Sequence, residues 1–430
     1  MNIPKITRIH NLATPPEIKD IPSAVRRNWM ESKTLKRVKP GQRIAIGCGS
    51  RGIAEIATIV KTTVEVFLEA GTKPFILAAM GSHGGATAEG QRELLASYGI
   101  TPEKMGVPVV SDMNSEKIGL NSWGEPVWWD CNALRADGVI TVSRIKPHTD
   151  YRGKYESGIT KMMVIGLGKR EGAAQHHRWG WKGLQQMLPE TAKVLLDKTP
   201  FLGGLAILEN AHDKTAHLQV VDRDELLDVE PGLLDRAKAL MGRIPFAELD
   251  VLIIGEIGKN YSGAGIDPNV VGRLLIEAAP ELETNRPRIT RMVALEVAPE
   301  SHGNATGIGI ADLTTNRALA SIDPIPFRMN NLTACFLWRS KLPLGFETDR
   351  ECIQAAIETC WQPIEERRKL VIIPNSLELS DMWISDALHN EIKNDPDWEL
   401  TSETISLPFM SNGNLDQKRL FPHSVQARRK

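Results

Sequence analysis

The fold is determined by residues 43–52, RIAIGCGSRG, in which a short apolar run passes directly into a glycine-rich turn. The run predicts a buried strand over residues 43–46. A helix is predicted next, because apolar residues recur on roughly one face; they are Ile53, Ile56, Ile59, Val60, Val64, Val66 and Phe67. A strand, a glycine turn and a helix in this order form the repeating unit of an α/β sheet.

The same pattern recurs along the first half of the chain. A second apolar run, 74–78, ends in the glycine-containing loop 80–85, and a short helix is predicted over 89–97. Two later runs, 107–110 and 138–142, have the composition of buried parallel strands. Strands that alternate with helices predict a doubly wound α/β domain, with functional loops at the carboxyl ends of its strands.

A second α/β pattern begins with the apolar run 249–255. Asp267-Pro268 opens a predicted helix through Ile276, and a predicted helix over 351–368 precedes a strand over 370–373. We therefore predict an α/β protein of two domains with mainly parallel sheets and an active site in the cleft between them. Residues 1–245 form the predicted N-terminal cofactor-binding and catalytic domain. Residues 246–430 form a substrate-closing domain, with a tail, 401–430, that could return to the first domain.

Composition restricts the classes of protein that fit this chain. Its 430 residues include 52 basic and 53 acidic ones, a balance that argues against a broad nucleic-acid surface. No apolar run approaches the ~18 residues of a membrane-spanning helix. The five cysteines include no Cys-x-x-Cys pair, which argues against a disulfide scaffold or a structural zinc site. We expect a cytoplasmic protein without nucleic-acid or membrane partners.

The turn over residues 47–52 fits the pattern G-x-G-x-x-G between a strand and a helix. Such a turn offers backbone N–H groups and a positive helix end to a phosphate, and Arg51 can add a charged contact. A dinucleotide site also needs an acidic residue at the end of the second strand, where this chain has Ala78-Ala79-Met80. The turn therefore favours a mononucleotide phosphate over NAD, with Gly49, Ser50, Arg51 and Gly52 as candidate cofactor-binding residues. A tight turn without a ligand is the alternative.

Two histidines follow apolar strands of the predicted sheet. His83 lies in Gly-Ser-His-Gly-Gly, and His148 ends Lys-Pro-His. Both fall at the edge where open α/β sheets bind ligands. Two imidazoles that face one substrate suit proton removal and return, although each alone could be an ordinary hydrogen-bonded histidine.

A lysine and a histidine pair lie further along the same region. Lys161 precedes an apolar segment, so burial could lower its pKa and make its amine a nucleophile; the alternative is a lysine that extends to solvent from a helix end. His176 and His177 are adjacent, and on a helix they point about 100° apart. Imidazole is a suitable ligand for nickel, copper and zinc, but these two side chains would not bind the same ion together.

These residues occur in the order found in the nickel-pincer lactate racemase family. The chain resembles that family in Gly81-Ser82-His83, Lys146-Pro147-His148, Lys161 and His177, and in the glycine turn with Arg51. The resemblance covers most of residues 40–180 and extends more weakly through the second domain. It implies a nickel-pincer nucleotide, pyridinium-3,5-bisthiocarboxylic acid mononucleotide with nickel, supplied by dedicated cofactor-synthesis proteins.

The resemblance also implies a role for each matching residue. Lys161 would hold the cofactor through a thioamide, and His177 would ligate nickel. Gly166 would help to fix the register between them. His83 and His148 would act as the base pair on opposite faces of a 2-hydroxy acid, whose α-carbon loses a hydride and regains it on the other face.

Two departures from the lactate enzyme shape the prediction. The interval between His148 and Lys161 is longer than in that enzyme, which leaves Lys154 as a rival attachment site, and His176 as a rival nickel ligand also stays open. In the segment 267–273 the substrate-contacting glutamine and lysine of the lactate enzyme are missing. Asn269 and Arg273 are the candidate substrate residues, with Arg273 as a carboxylate clamp.

We therefore predict a racemase or epimerase of a 2-hydroxy acid other than lactate, larger or more polar, such as a sugar acid. One alternative is an NAD-dependent oxidoreductase with its pyrophosphate on residues 47–52. The other is a homologue that binds a nucleotide or metal without catalysis.

Overall fold

The computed structural model describes residues 2–279, 281 and 287–429. They form two compact units. The N-terminal unit is Pro15–Met241, and the C-terminal unit combines Met1–Thr14 with Gly242–Lys430. Both are α/β with largely parallel sheets, which confirms the predicted fold class. The expectation of an active site between two domains stays a prediction.

The strands of the described residues are numbered in chain order. They are β1 (Ile6–Asn11), β2 (Arg43–Cys48), β3 (Lys73–Ala78), β4 (Val109–Val110), β5 (Ser115–Leu120), β6 (Pro126–Asp130), β7 (Gly138–Arg144), β8 (Phe201–Glu209), β9 (Thr215–Asp222), β10 (Glu248–Ile257), β11 (Arg288–Val297), β12 (Leu313–Thr315), β13 (Leu344–Phe346), β14 (Leu370–Ile373), β15 (Asp381–Ser385) and β16 (Trp398–Ile405).

The α-helices are numbered in the same way. They are α1 (Ile21–Glu31), α2 (Lys33–Arg37), α3 (Ile56–Glu69), α4 (Ala88–Ser97), α5 (Pro102–Met105), α6 (Cys131–Leu134), α7 (Ile159–Lys161), α8 (Lys169–Arg178), α9 (Gly180–Lys182), α10 (Leu188–Lys198), α11 (Leu226–Leu240), α12 (Pro268–Val271), α13 (Asn316–Ala320), α14 (Pro324–Ala334), α15 (Asp349–Thr359), α16 (His389–Ile392), α17 (Gln417–Leu420) and α18 (Val425–Arg428). Two segments, Met162–Gly166 and Gly183–Met187, are π-helical. No helix of the described residues is both long and apolar enough to span a membrane.

The N-terminal unit is built on a six-stranded sheet in the order β4-β3-β2-β7-β8-β9. The first five strands are parallel, and β9 runs antiparallel to β8. Ile44 and Ile46 of β2 pack on one face with Trp29, while Ala45 packs on the other with Trp129. Burial on both faces explains why the strand is a continuous apolar run instead of an alternating one.

The C-terminal unit has an eight-stranded sheet in the order β13-β12-β11-β10-β14-β15-β1-β16. Five neighbouring strands of this sheet are parallel; they are β13, β12, β11, β10 and β14. The pairings of β14 with β15, of β15 with β1 and of β1 with β16 are antiparallel. The strand β1 lies between β15 and β16, so residues 1–14 belong to this unit and not to the predicted domain 1–245. Residues 401–429 of the tail are also grouped with this unit.

Several predicted helices are shorter than expected. The helix predicted from Asp267 to Ile276 is only α12, because Gly272 follows it with a left-handed backbone at φ +66°. The helix predicted over 351–368 ends at Thr359, and Trp361 beyond it has φ +64°. The helix after the glycine turn begins at Ile56 instead of Ile53. Three residues therefore lie between Gly52 and the first residue of α3. In a dinucleotide-binding turn, the phosphate lies against the N-terminus of the helix that follows the glycines.

Candidate active site

The loops that follow β2 and β3 meet at the carboxyl edge of the N-terminal sheet. The Ser50 hydroxyl is hydrogen-bonded to Nδ1 of His83. The Tyr98 hydroxyl donates to the carbonyl oxygen of Ser50 at 2.9 Å, which holds the glycine turn in place. The predicted phosphate turn and the first predicted catalytic histidine are therefore parts of one site.

The loop that carries His83 is fixed by the amide of Gln91. Its Nε2 donates to the carbonyl oxygens of Gly81 and His83, at 3.1 Å each. Gln91 is itself fully buried. The backbone around His83 is therefore positioned by a side chain of α4, although the imidazole is exposed.

The same loop also packs against the segment that follows Lys161. The N–H of Gly81 donates to the carbonyl oxygen of Gly166 at 3.0 Å. A Cβ on Gly166 would lie 2.7 Å from the carbonyl oxygen of Ala79, too close for any side chain. Gly166 is thus required where the β3 loop crosses the π-helix.

Lys161 ends α7, where the chain passes into the π-helix Met162–Gly166. Its Nζ lies 5.9 Å from the ring centroid of Tyr151. Burial lowers the pKa of Lys161 to about 8; the carboxylate of Asp150 opposes this shift, and the charge of Arg51 adds to it. Near neutral pH, Lys161 is therefore uncharged far more often than an ordinary lysine, whose pKa is 10.5.

The glycine turn lies beside this lysine. A Cβ on Gly49 would come within 2.7 Å of Cε of Met162, the residue after Lys161. The closest atom belongs to the end of a flexible side chain, so the approach is tight without being rigid. The glycine turn therefore contacts the residue that follows Lys161.

His148 follows β7 and has a defined tautomer. Its Nδ1 accepts the backbone N–H of Asp150 at 3.0 Å, and the backbone N–H of His148 donates to Oε2 of Glu156 at 2.6 Å. A backbone N–H can only donate, so neutral His148 carries its proton on Nε2. Burial lowers the pKa of His148 well below its ordinary value, and the charge of Lys161 lowers it further. His148 is therefore a neutral imidazole with an Nε2–H group at neutral pH.

The two adjacent histidines of α8 differ in their hydrogen bonds. In His176, Nδ1 bonds the carbonyl oxygen of Gly172 at 2.8 Å and Nε2 bonds the Thr191 hydroxyl at 3.2 Å. In His177, Nδ1 is buried and makes no hydrogen bond with any described residue. Burial lowers the pKa of His177, and Lys161 lowers it further. His177 is the member of the pair with an unused ring nitrogen, as a metal ligand requires.

Lys154, the rival attachment residue, has a different environment. Its side chain is exposed, and its Nζ lies 5.5 Å from the ring centroid of Tyr155. Of the two lysines, Lys161 is half-buried, and the charge of Arg51 lowers its pKa.

Asp150 is a site residue that the sequence analysis missed. One of its carboxylate oxygens lies 3.8 Å from Nδ1 of His148. Its charge also raises the pKa of Lys161 and His177 against the effect of burial. The sequence signal that could have identified Asp150 is its position two residues after the Lys-Pro-His motif.

Lys169, which lies between Lys161 and His177 in the sequence, is a structural residue. It is fully buried, with its Nζ 2.8 Å from Oδ2 of Asp130 and donating to the carbonyl oxygen of Ala78 at 2.6 Å. Because Ala78 ends β3, this lysine ties the end of that strand to α8. A second charged contact joins two other strands at their carboxyl ends, where Arg144 of β7 is ion-paired with Glu209 of β8.

The predicted substrate residues lie in the C-terminal unit and are held by their own loops. Arg273 donates to the carbonyl oxygens of Ile310 at 2.7 Å and Ile289 at 3.0 Å, and to Asp312 at 3.0 Å. Nδ2 of Asn269 donates to Asp267 at 2.9 Å. The guanidinium predicted to clamp a carboxylate is thus occupied in holding a turn, and it takes no part in the function proposed below.

The N-terminal cluster can therefore bind a phosphate, present a weakly basic amine and handle a proton. Among the described residues, no three histidine, cysteine, aspartate or glutamate side chains are grouped so as to hold a metal ion.

Comparisons with known proteins find solved structures that are similar to this chain at low sequence identity. No protein-family model and no curated protein matches the chain. A structure of the lactate racemase apoprotein from Thermoanaerobacterium thermosaccharolyticum is similar over 55% of this chain and 60% of that one, at 12% identity and a TM-score of 0.42. A protein from Thermotoga maritima is similar over 75% of this chain and 82% of its own, at 10% identity and a TM-score of 0.44. These values concern the fold alone, so the function is argued from the site.

Proposed function

We propose that the protein is a racemase or epimerase of a 2-hydroxy acid that works with a nickel-pincer nucleotide. The observation that carries the proposal is the convergence of the predicted residues in one unit. Ser50 contacts His83, and the charge of Lys161 lowers the pKa of both His148 and His177. A phosphate turn, a nucleophilic amine and several imidazoles are the groups that this reaction requires.

The residues fit the cofactor on three counts. His177 has a buried Nδ1 without a hydrogen-bond partner among the described residues, which suits a nickel ligand. Lys161 has a pKa of about 8, which suits attachment through its amine. Arg51 supplies positive charge for a phosphate, and Gly49 keeps a side chain out of the close approach between the turn and Met162. When bound, the cofactor supplies reversible hydride acceptance at the substrate α-carbon.

The two histidines proposed as catalytic begin the reaction as different tautomers of neutral imidazole. His148 carries its proton on Nε2, because Nδ1 is engaged by the N–H of Asp150. The Ser50 hydroxyl can donate or accept, so His83 can hold its proton on Nδ1 and use Nε2 as a base. In one direction His83 takes the substrate hydroxyl proton while His148 donates a hydrogen bond. A reaction that inverts one centre needs one protonated and one unprotonated nitrogen on opposite faces of the substrate.

We propose a substrate larger or more polar than lactate, such as a sugar acid, since the lactate enzyme's glutamine and lysine are missing from the segment 267–273. Whether the reaction is a racemisation or an epimerisation then depends only on the other stereocentres of the substrate. The dinucleotide alternative is disfavoured because β3 ends in Ala78 and not in an acid.

The test is covalent loading of the protein made together with the cofactor pathway. Intact mass should show a nucleotide-sized adduct on the parent protein, with about one nickel per chain. The adduct should be lost in Lys161→Ala and kept in the matched control Lys154→Ala. An adduct that persists in Lys161→Ala, or no adduct and no nickel in a host that loads a known pincer enzyme, would overturn the proposal.

A further inference from the structure

A cavity of about 600 Å³ lies at the amino edge of the parallel strands in the C-terminal unit. It opens where β10, β11 and β14 begin. Glu248 at the start of β10 lies opposite Arg288 at the start of β11 in the register of the sheet. Its volume is that of a typical small-molecule site. Ligands of open α/β sheets usually bind at the opposite, carboxyl edge, so the function proposed above does not use this cavity.

The walls of the cavity carry more positive than negative charge. The charged lining residues are Arg288, Arg291, Arg367 and Lys369, against Glu248 and Asp250. Lys369 is paired with Glu391 at 2.7 Å. Arg288 and Arg367 are exposed, and neither is ion-paired to a carboxylate of the described residues. Two guanidinium groups are therefore placed to receive an anion.

Trp361 lies at the rim of the cavity in an unusual conformation. It follows the end of α15 and the buried Cys360, and it has φ +64°. Glycine is the usual residue at such a helix end, because other residues are strained there. The indole is also 83% exposed, so packing does not explain the choice of tryptophan. A strained and exposed aromatic residue at a cavity is a reason to look for a ligand.

Arg291 holds the indole in position. Its guanidinium carbon lies 5.0 Å from the centroid of the Trp361 ring. The same side chain donates from Nε to the Thr359 hydroxyl at 3.1 Å and from Nη1 to the carbonyl oxygen of Thr290 at 2.9 Å. The ring is thereby oriented beside the cations while most of its surface faces solvent.

We propose that this cavity binds a nucleoside phosphate, with its base stacked on Trp361 and its phosphates held by Arg288 and Arg367. An aromatic face binds the π-face of any base, and guanidinium groups bind phosphate oxygens in pairs. Glu248 and Asp250 accept hydrogen bonds from ribose hydroxyls or base amino groups. The proposal concerns a second nucleotide, independent of the cofactor of the N-terminal unit.

Calorimetric titration of the full chain with ADP, pyrophosphate and adenosine tests the stacking contact. ADP should bind more tightly than pyrophosphate, and Trp361→Ala should weaken ADP binding by about tenfold or more. The matched control is Trp338→Ala, since Trp338 is another exposed tryptophan of this unit with a cation, Lys341, 4.9 Å from its ring. That control should change ADP affinity less than about twofold.

The charged contact is tested in the same way. Arg367→Ala should weaken both ADP and pyrophosphate binding, whereas Arg328→Ala, which removes the same charge from another exposed position, should leave both nearly unchanged. Both Trp361 and Arg367 are exposed, so their variants should fold, and circular dichroism checks this. No binding of ADP, equal binding of ADP and pyrophosphate, or ADP binding that survives Trp361→Ala but is lost in Arg51→Ala would overturn the proposal. The last result would assign the nucleotide to the N-terminal glycine turn.

Discussion

His176 and His177 show how two adjacent residues of the same type acquire different roles. Both ring nitrogens of His176 are hydrogen-bonded inside the protein, to Gly172 and Thr191, and its side chain is almost fully buried. The buried Nδ1 of His177 has no such partner among the described residues. The difference comes from direction alone, since consecutive helical residues point about 100° apart.

We therefore expect opposite effects from replacing the two histidines. His176→Ala should cost about 1–3 kcal/mol of unfolding free energy at pH 7, because it removes the buried hydrogen bonds to Gly172 and Thr191, although Thr191 keeps its bond from Asn121. His177→Ala should change stability little and should remove nickel from the loaded protein. Denaturant unfolding and metal analysis of both variants check this, and loss of nickel in His176→Ala with retention in His177→Ala would contradict it.

The same pair predicts a pH dependence. Burial lowers the pKa of His176 from 6.5 to about 4, so below pH 6.5 the unfolded chain binds a proton that the folded chain does not. The contribution of neutral His176 to the free energy of unfolding is complete above pH 6.5. It is lost progressively as the pH falls towards 4, by up to about 3 kcal/mol. The fall in stability between pH 7 and pH 4.5 should be smaller in His176→Ala than in the parent protein.

At the scale of elements, the site depends on the crossing of the β3 loop and the π-helix Met162–Gly166. The π-helix lies between α7 and α8, and it separates the element that carries Lys161 from the one that carries His177. Such π-helical insertions are rare and are often found at functional sites. Gly166 and Gly81 allow the loop with His83 to approach this segment.

Gly166→Ala should therefore destabilise the protein by about 1–3 kcal/mol, since its Cβ would meet the backbone of Ala79. It should also lower activity through displacement of His83. Gly232→Ala is the matched control: Gly232 lies within α11 with no atom within 4 Å of an added Cβ, so alanine there should stabilise the helix by up to about 1 kcal/mol. Thermal unfolding of both variants tests the pair, and equal stability would show that the crossing is not tight.

At the scale of the whole molecule, the first residues of the chain complete the C-terminal unit. Ile6 and Ile9 of β1 are fully buried, and β1 pairs with β15 on one side and β16 on the other. A strand from the amino terminus thus joins the two parts of the antiparallel half of that sheet. The C-terminal unit therefore requires both ends of the described chain.

Ile9→Ala should cost about 2–5 kcal/mol of unfolding free energy, because it leaves a cavity in the core of the C-terminal unit. Leu12→Ala, at a position 53% exposed just beyond the strand, should cost less than about 0.5 kcal/mol. Denaturant unfolding followed by hydrogen exchange assigns the loss to a unit. Equal losses in the two variants, or a loss confined to Pro15–Met241, would show that β1 is not part of the C-terminal core.

The amino-acid sequence by itself determined the α/β class, the main strands and the loops that carry the candidate chemistry. These follow from local patterns, because continuous apolar runs with glycine turns occur where parallel strands are buried on both faces. The order of the histidine and lysine motifs was likewise visible in the sequence. The helix ends at Gly272 and Thr359 were not, since left-handed residues beyond a helix leave little trace in periodicity.

Only the tertiary structure decided which side chains meet. It placed Ser50 against His83, gave His176 its partners and left the Nδ1 of His177 without one in the described structure. It moved residues 1–14 into the C-terminal unit and engaged Arg273 within its own loop. The physical reason is that burial, hydrogen-bond partners and the pKa shifts they cause depend on neighbours that are distant in the sequence, and no local pattern records them.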